Sequence, residues 1–382
     1  MRIKAKLPQV KPHAYDEPRQ CPYEGCSGHH FKAHGRRGEE KNILDPQYGQ
    51  VTAYRYKCLR CGRTFRNYPH GVSQAQQSDR VKGMSVLLYV LGLSYGAVED
   101  FMEAIGVAIC RTTVYNNVQE AGIASRHLQR EEVEGSGKRP VIGTDGTYVK
   151  VKGEEVCIQV VVDDRSGELL GLNVITSESS EEVLELVEDV GEKVGADVLV
   201  SDDLDAYKES AEETGMKHQI CRKHVKDNVD DLADELREQL KEGRAPPKGE
   251  GLSEAQVVED LEQIQGLVAK RPDDGVQQLE RLYHRYKGVR QPPPGHRHSV
   301  WYRTRMLITR LWDRWQHLTL DKGREEMDGT NNSCERLIGW WIKEHYRTMR
   351  GYKRIASIEN VVTLTSRMGL RSGYYDMTEL YN

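Results

Sequence analysis

The sequence predicts a multidomain α/β protein: a mixed sheet with helices, split by an α-helical insertion and preceded by a cysteine-bearing ribbon and a small helical domain. Three observations lead there. Residues 141–221 interleave short apolar runs with two helical patterns, residues 225–325 show helical periodicity without strands, and two close cysteine pairs bracket an alternating segment near the start. The boundaries drawn from these shifts are 1–72 for the ribbon, 73–135 for the helical domain, 136–224 and 326–375 for the two parts of the sheet domain, and 225–325 for the insertion.

The ribbon comes first. Eight cysteines in 382 residues are too sparse and uneven for a disulfide framework, but four of them form a pattern. Cys21-Pro-Tyr-Glu-Gly-Cys26 is answered by Cys58-Leu-Arg-Cys61, and Val51–Lys57 between the pairs alternates like a strand. Two close pairs on two turns let four thiolates converge tetrahedrally, which is what one structural Zn²⁺ requires. The competing reading is four free buried thiols. His29 and His30 are alternative ligands by type, although their loop reads as exposed.

Residues 78–92 read as a helix, followed by a second over 94–105, a turn at Gly106 and a last helix over 111–121 ended by Gly122. A short helix, a glycine turn and a polar helix suggest a helix-turn-helix, whose second helix enters the major groove of DNA. Its candidate DNA contacts are Arg111, Thr112, Thr113, Tyr115, Asn116 and Asn117. Packing alone explains three small helices equally well.

From residue 140 the pattern turns strand-rich, with runs at 141–151, 156–162 and 169–175 and the turn Asp163-Asp-Arg-Ser-Gly167 between the last two. A helix over 180–194, a strand ending in Asp202, a helix over 204–214 and a strand over 217–221 complete the set. Three antiparallel strands, then helix, strand, helix and strand, is the order of a ribonuclease-H-like fold. Helices over 226–242, 253–269 and 274–287, a Pro/Gly linker at 243–251, and the basic, aromatic segment 296–305 form the insertion, which is far too long for a simple loop.

Three acids stand out on this frame. Asp145 falls on the first strand, Asp202 ends the fourth, and Glu335 opens a long helix after Asn331. In open α/β sheets, ligand sites gather at the carboxyl ends of strands. Each acid also has a plainer reading: Asp145 and Asp202 suit ordinary turns, Asp203 and Asp205 compete with Asp202, and Glu335 suits a capping box with Asn332. At 100° per residue, Arg336, Trp340, Lys343, Arg347 and Arg350 form a narrow stripe opposite Leu337, Ile338, Trp341, Ile342 and Met349. Glu335 lies on the boundary, beside the core yet next to a basic face fit for a phosphate backbone. A solvated charged face explains the Arg and Lys residues, but not Trp340 among them.

The order of motifs resembles the DDE transposases of prokaryotic insertion sequences over most of the chain. Asp145-Gly-Thr-Tyr148, Ser201-Asp202-Asp-Leu-Asp-Ala-Tyr207 and Thr330-Asn-Asn-Ser-Cys-Glu335-Arg336 match that family's motifs. Cys221-Arg-Lys-His224 resembles the Cys-x-x-His element of the Mutator-like branch, which also carries a helical insertion before its glutamate. The resemblance implies that Asp145, Asp202 and Glu335 ligate two Mg²⁺ ions, for which Mn²⁺ substitutes, with Asp145 bridging both. Such ions, about 3.5–4 Å apart, activate the attacking oxygen and stabilise the leaving one in an in-line displacement at phosphorus. For Cys221 and His224 two readings stay open: a buried thiol with a polar helix cap, or a histidine that donates to the scissile phosphate or positions a water. A second zinc site at this pair is not expected, because no other ligand lies nearby in sequence.

The implied activity binds the inverted-repeat ends of an element, cleaves a strand by metal-dependent hydrolysis and joins the freed 3′-hydroxyl to target DNA. Two double-stranded ends held together require a homodimer or larger assembly. A nuclease or resolvase that cuts without joining, and a domesticated DNA-binding regulator, are the alternatives. The net charge of -4 conceals a basic front, with 14 Lys and Arg against 6 Asp and Glu in residues 1–70, and an acidic middle, with 6 against 19 in residues 178–236. No apolar run approaches membrane-spanning length and no signal peptide is evident, so a cytoplasmic, nucleoid-associated protein is expected.

Overall fold

A computed structural model describes residues 3–35, 37–175, 180–242, 252–349, 351–370 and 374–381. Arg350 and the linker expected at 243–251 lie outside the described residues.

In chain order, β1 (Ala5–Lys6), β2 (Phe31–Ala33), β3 (Glu39–Asn42), β4 (Gln50–Cys58) and β5 (Thr64–Asn67) precede the helices α1 (Asp79–Val90), α2 (Tyr95–Ala104) and α3 (Arg111–Gly135). Strands β6 (Val141–Val151), β7 (Glu154–Asp163) and β8 (Leu169–Ile175) follow, then α4 (Ser180–Val194), β9 (Val198–Ser201), α5 (Asp205–Thr214) and β10 (Lys217–Ile220). Helices α6 (Arg222–Lys241), α7 (Glu254–Lys270), α8 (Gly275–Tyr286) and α9 (Val300–Leu318) come next. The last stretch holds α10 (Asn332–Leu337), a π-helical turn (Ile338–Lys343), α11 (Glu344–Thr348), α12 (Ile358–Leu370) and β11 (Tyr375–Asp376).

The chain forms two compact units, and both are discontinuous. The first comprises residues 1–135, 148–156 and 337–382. In it β4 is the centre of a four-stranded sheet, pairing antiparallel with β2, β3 and β5. Helices α1 and α2 start where Ser78 and Ser94 accept hydrogen bonds from the amides of Val81 and Ala97, the ordinary serine N-cap. The two chain ends meet, because β1 pairs in parallel with β11.

The last helix of this region differs from the sequence expectation. It does not stop at Gly122 but continues to Gly135. Gly122 is a contact point rather than a cap: a Cβ there would lie 2.6 Å from Cβ of Asn360 on α12 and 2.7 Å from its carbonyl oxygen. Arg126 pairs with Glu359 at 2.6 Å and Arg367 with Glu132 at 2.7 Å, holding α3 and α12 side by side.

The second unit comprises residues 136–147 and 157–336. Its sheet has the order β10-β9-β6-β7-β8. Strands β6, β9 and β10 run parallel, and β7 and β8 run antiparallel. A two-residue turn joins β6 to β7, so that pair is antiparallel too. Val156–Val162 is buried without interruption, as suits a strand covered on both faces. The order of three strands, helix, strand, helix and strand is the one the sequence implied. Helices α6 to α9 share a core that includes Leu236, Leu261, Ile264, Leu282, Trp301 and Ile308, and Ile220 of β10 belongs to it.

The boundary between the units falls after Arg336, inside the helical stretch that the sequence reading kept whole as part of 326–375. Among the described residues, no helix is long and apolar enough to cross a membrane.

Candidate active site

Asp145 lies on β6, half-buried, and its Oδ1 accepts a hydrogen bond from the amide of Gly146 at 2.8 Å. The strand beneath it is tied down by buried polar groups. Gln159 Nε2 donates to Thr144 Oγ1 at 2.8 Å and to the Tyr207 hydroxyl at 3.1 Å, and Thr144 Oγ1 donates to the carbonyl of Val160 at 3.0 Å. Asn331 Nδ2 donates to the carbonyl of Thr144 at 2.8 Å. The tyrosine and the first asparagine of the two flanking motifs therefore act as anchors, a role the motif match alone did not reveal. Gly143 permits the approach, since a Cβ there would stand 2.9 Å from Asn331 Oδ1.

Asp202 follows β9, where the apolar run Val198–Ser201 ends. Burial pushes its carboxyl up, against the pull of the Leu204 amide and the charge of His224. The two competing acids are committed elsewhere. Asp203 is 2.7 Å from Arg310 and 3.3 Å from Arg314, and Asp205 pairs with Arg314.

Glu335 sits in the first turn of α10. Its Oε2 accepts from Lys223 Nζ at 2.8 Å, and its Oε1 is buried without a hydrogen-bond partner, 3.3 Å from His224 Nε2. Neither oxygen turns back to the amide of Asn332, so the capping box is not formed. Nearby Asp328 serves its own turn, accepting from the amide and hydroxyl of Thr330 at 2.8 and 2.6 Å.

His224 occupies the first turn of α6, whose N-cap is Cys221. The neighbouring Cys221 sulfur, opposed by burial, and then the charges of Cys221, Glu335 and Asp145 push the imidazole up to about 9. Burial raises the Cys221 thiol, but His224 and the Asn331 amide, which donates to its sulfur at 3.3 Å, bring it below the ordinary value. A histidine held in its charged form thus stands against Glu335, within electrostatic reach of Asp145 and Asp202. No other ligand lies near this pair in sequence, but the fold brings one from afar: the donor atoms of Cys221, His224 and Glu335 lie within 4.8 Å of one another.

The donor atoms of Cys21, Cys26, Cys58 and Cys61 also converge within 4.8 Å, and this cluster can hold a metal ion. The Sγ atoms of Cys21 and Cys61 are 3.7 Å apart, and those of Cys26 and Cys58 are 3.8 Å apart. Amide hydrogen bonds in the 58–61 turn bring the Cys58 thiol down to about 7. His29 and His30 are exposed and take no part in the cluster.

The expected DNA contacts divide. Arg111, Thr112 and Asn116 are exposed, and Arg111 pairs with Glu99 at 2.9 Å. Thr113 is half-buried, and Tyr115 packs edge-on to Tyr95 beneath the Arg354 guanidinium. Asn117 is not available. It is 1% exposed and donates to Gln77 and Ser85, because it falls on the face of α3 that packs against α1.

Arg336, Trp340, Lys343 and Arg347 are all exposed, while Leu337, Ile338, Trp341 and Ile342 are buried. The stretch is not a uniform α-helix, since the turn Ile338–Lys343 is π-helical and departs from a spacing of 100° per residue. His345, passed over in the sequence, is buried as Trp341 and Ile342 are, and burial pushes its imidazole down to about 4.

The model of the family described as "Transposase IS66 family" matches residues 83–342, a span that contains Asp145, Asp202, His224 and Glu335. Among solved structures, the trimeric form of the HTLV-2 integrase catalytic core domain in complex with magnesium is 19% identical, with a TM-score of 0.20, covering 29% of this chain and 79% of that one. The dimeric form of the same domain is 17% identical, with a TM-score of 0.20, covering 33% of this chain and 85% of that one. No curated protein matches. The family match spans well over half of the chain, which therefore belongs to the IS66 family of transposases, enzymes of the polynucleotidyl-transferase type.

Proposed function

We propose that this transposase binds the inverted-repeat ends of its element, hydrolyses a strand at each end, and uses the freed 3′-hydroxyl to attack target DNA. The observation that carries the reading is the Glu335 oxygen that lies 3.3 Å from His224 Nε2, buried without a hydrogen-bond partner, with Asp145 and Asp202 near enough for their charges to act on the same imidazole. Three carboxylates on separate elements form the hard oxygen set that Mg²⁺ or Mn²⁺ takes, and an unpartnered carboxylate oxygen fits a cation. Two Mg²⁺ ions bound there would activate the attacking oxygen and stabilise the leaving one. The anchored strand β6 would position Asp145 to hold these ions together with Asp202 and Glu335. His224, protonated, donates to a non-bridging oxygen of the scissile phosphate.

The strand order of the second unit supports reading its sheet as ribonuclease-H-like, with α6 to α9 as the helical insertion. In the first unit, a ribbon around one structural zinc and a helix-turn-helix over α2 and α3 supply end recognition. Arg111, Thr112, Thr113, Tyr115 and Asn116 are its candidate readers. Arg336, Trp340, Lys343 and Arg347 are candidate contacts to the DNA backbone. Joining two ends requires a homodimer or a larger assembly. The test is a strand-transfer assay with end-bearing oligonucleotides, a target duplex and Mg²⁺. Joined products from the wild type, absent with Asp145→Asn, support the reading; cutting without joining would replace it with a nuclease or resolvase.

A further inference from the structure

We propose that Cys221, His224 and Glu335 form a second metal site, one that takes Zn²⁺ and overlaps the candidate active site. The inference that zinc binding silences the enzyme rests on the catalytic reading of Glu335 given above; the site itself does not.

The sequence offers only the pair Cys221 and His224, which is two ligands short of a zinc site. The fold supplies a third. Cys221 caps α6 and His224 lies in its first turn, so the two side chains share one side of the helix start. Glu335 arrives from α10, and the three donor atoms fall within 4.8 Å of one another. Zn²⁺ binds at about 2.3 Å from sulfur and about 2.0–2.2 Å from nitrogen and oxygen, so small side-chain adjustments close the set around one ion. Three protein ligands leave a fourth position open to water.

Two further features point to a cation at this place. Glu335 Oε1, 3.3 Å from His224 Nε2, is buried without a hydrogen-bond partner, whereas Oε2 is already engaged by Lys223. The oxygen that faces His224 is therefore the one left unsatisfied. The donor set also selects the ion. Thiolate and imidazole are ligands for zinc and other late divalent metals, while Mg²⁺ takes oxygen and gains nothing from Cys221. Glu335 cannot complete both sites at once, so Zn²⁺ here withdraws a ligand from the hard-cation site.

The experiment measures zinc by equilibrium dialysis of the full chain, followed by Co²⁺ replacement. Wild type is expected to hold about two zinc ions per chain, one in the four-cysteine cluster and one here, and Cys221→Ser and His224→Ala about one each. In the Co²⁺ protein, the second equivalent should add a thiolate charge-transfer band that Cys221→Ser lacks. Both variants should keep the first zinc, which serves as their folding control. A wild type that binds only one zinc, or a second zinc unchanged in both variants, would overturn the site. Zinc added at fixed Mg²⁺ should inhibit end cleavage by wild type, with relief by chelation. A second zinc that is lost in both variants yet leaves cleavage unimpaired supports the site and instead contradicts the catalytic role of Glu335.

Discussion

Glu335 Oε1 lies 3.3 Å from His224 Nε2, and through its other oxygen the same carboxylate accepts from Lys223 Nζ at 2.8 Å. Two cations from the start of α6 thus meet one acid from the start of α10. The arrangement separates the two roles open to Glu335 in the sequence, because a carboxylate turned toward His224 cannot also cap its own helix.

The ribbon should depend on its metal. Its apolar core is small, with Val10, Ile43, Val51 and Val72 as the buried cluster, and the four sulfurs are its other cross-link. Cys58→Ser is expected to release the ribbon's zinc and to make residues 1–72 sensitive to limited proteolysis. A ribbon that remains protected without zinc would refute the assignment.

Recognition of the ends should distinguish two neighbouring asparagines. Asn116 is exposed, so Asn116→Ala is expected to reduce discrimination between end and random DNA by about 1–3 kcal/mol while leaving the melting temperature unchanged. Asn117 is buried and hydrogen-bonded, so Asn117→Ala should lose about 1–3 kcal/mol of stability, and any loss of binding should follow from that. Gel-shift titrations paired with thermal melts read both; the reverse pattern would place the wrong face of α3 on DNA.

The contact between α3 and α12 should be intolerant of bulk. Gly122→Leu forces side-chain atoms into the Asn360 backbone and is expected to cost about 1–3 kcal/mol, seen as a lower denaturation midpoint. An unchanged midpoint would mean that the two helices do not pack this closely.

Stability on the acid side should depend on His218. It is buried beside Ser201 and His317, and burial, followed by the charge of His317, pushes its imidazole down to about 3. The unfolded chain therefore binds a proton near pH 6.5 that the folded chain takes up only near pH 3. Stability from this group is complete above about pH 6.5 and falls by up to about 1.4 kcal/mol per pH unit below it. His218→Gln, which keeps a donor toward Ser201, should flatten that decline. Equal slopes for wild type and variant between pH 6.5 and 5 would refute it.

Much of this architecture is legible in the sequence because local chemistry marks it. The apolar runs of β7 and β8 are separated by turn residues such as Asp163 and Gly167, and Asp145 and Asp202 attract attention by interrupting or ending apolar runs. The cysteine pairs announce their cluster by spacing alone. What is missed depends on distant partners. Gly122 reads as a helix stop until Asn360 is seen against it, and Asn117 reads as a DNA contact until Gln77 and Ser85 occupy it. The pairing of β1 with β11 joins two-residue strands at opposite ends of the chain, too short for any periodicity to show. The π-helical turn at Ile338–Lys343 shifts a phase that an ideal helix would keep.

On the proposed mechanism, Glu335 completes a cation site required for cutting and joining DNA. Glu335→Gln preserves size and helix propensity and removes only the charge. With its four-cysteine zinc, thermal stability and end binding at wild-type levels, it should lose several kcal/mol of transition-state stabilisation, a fall of at least about a hundredfold in both end cleavage and strand transfer. A Glu335→Gln protein that cut and joined DNA at near wild-type rates would contradict the account.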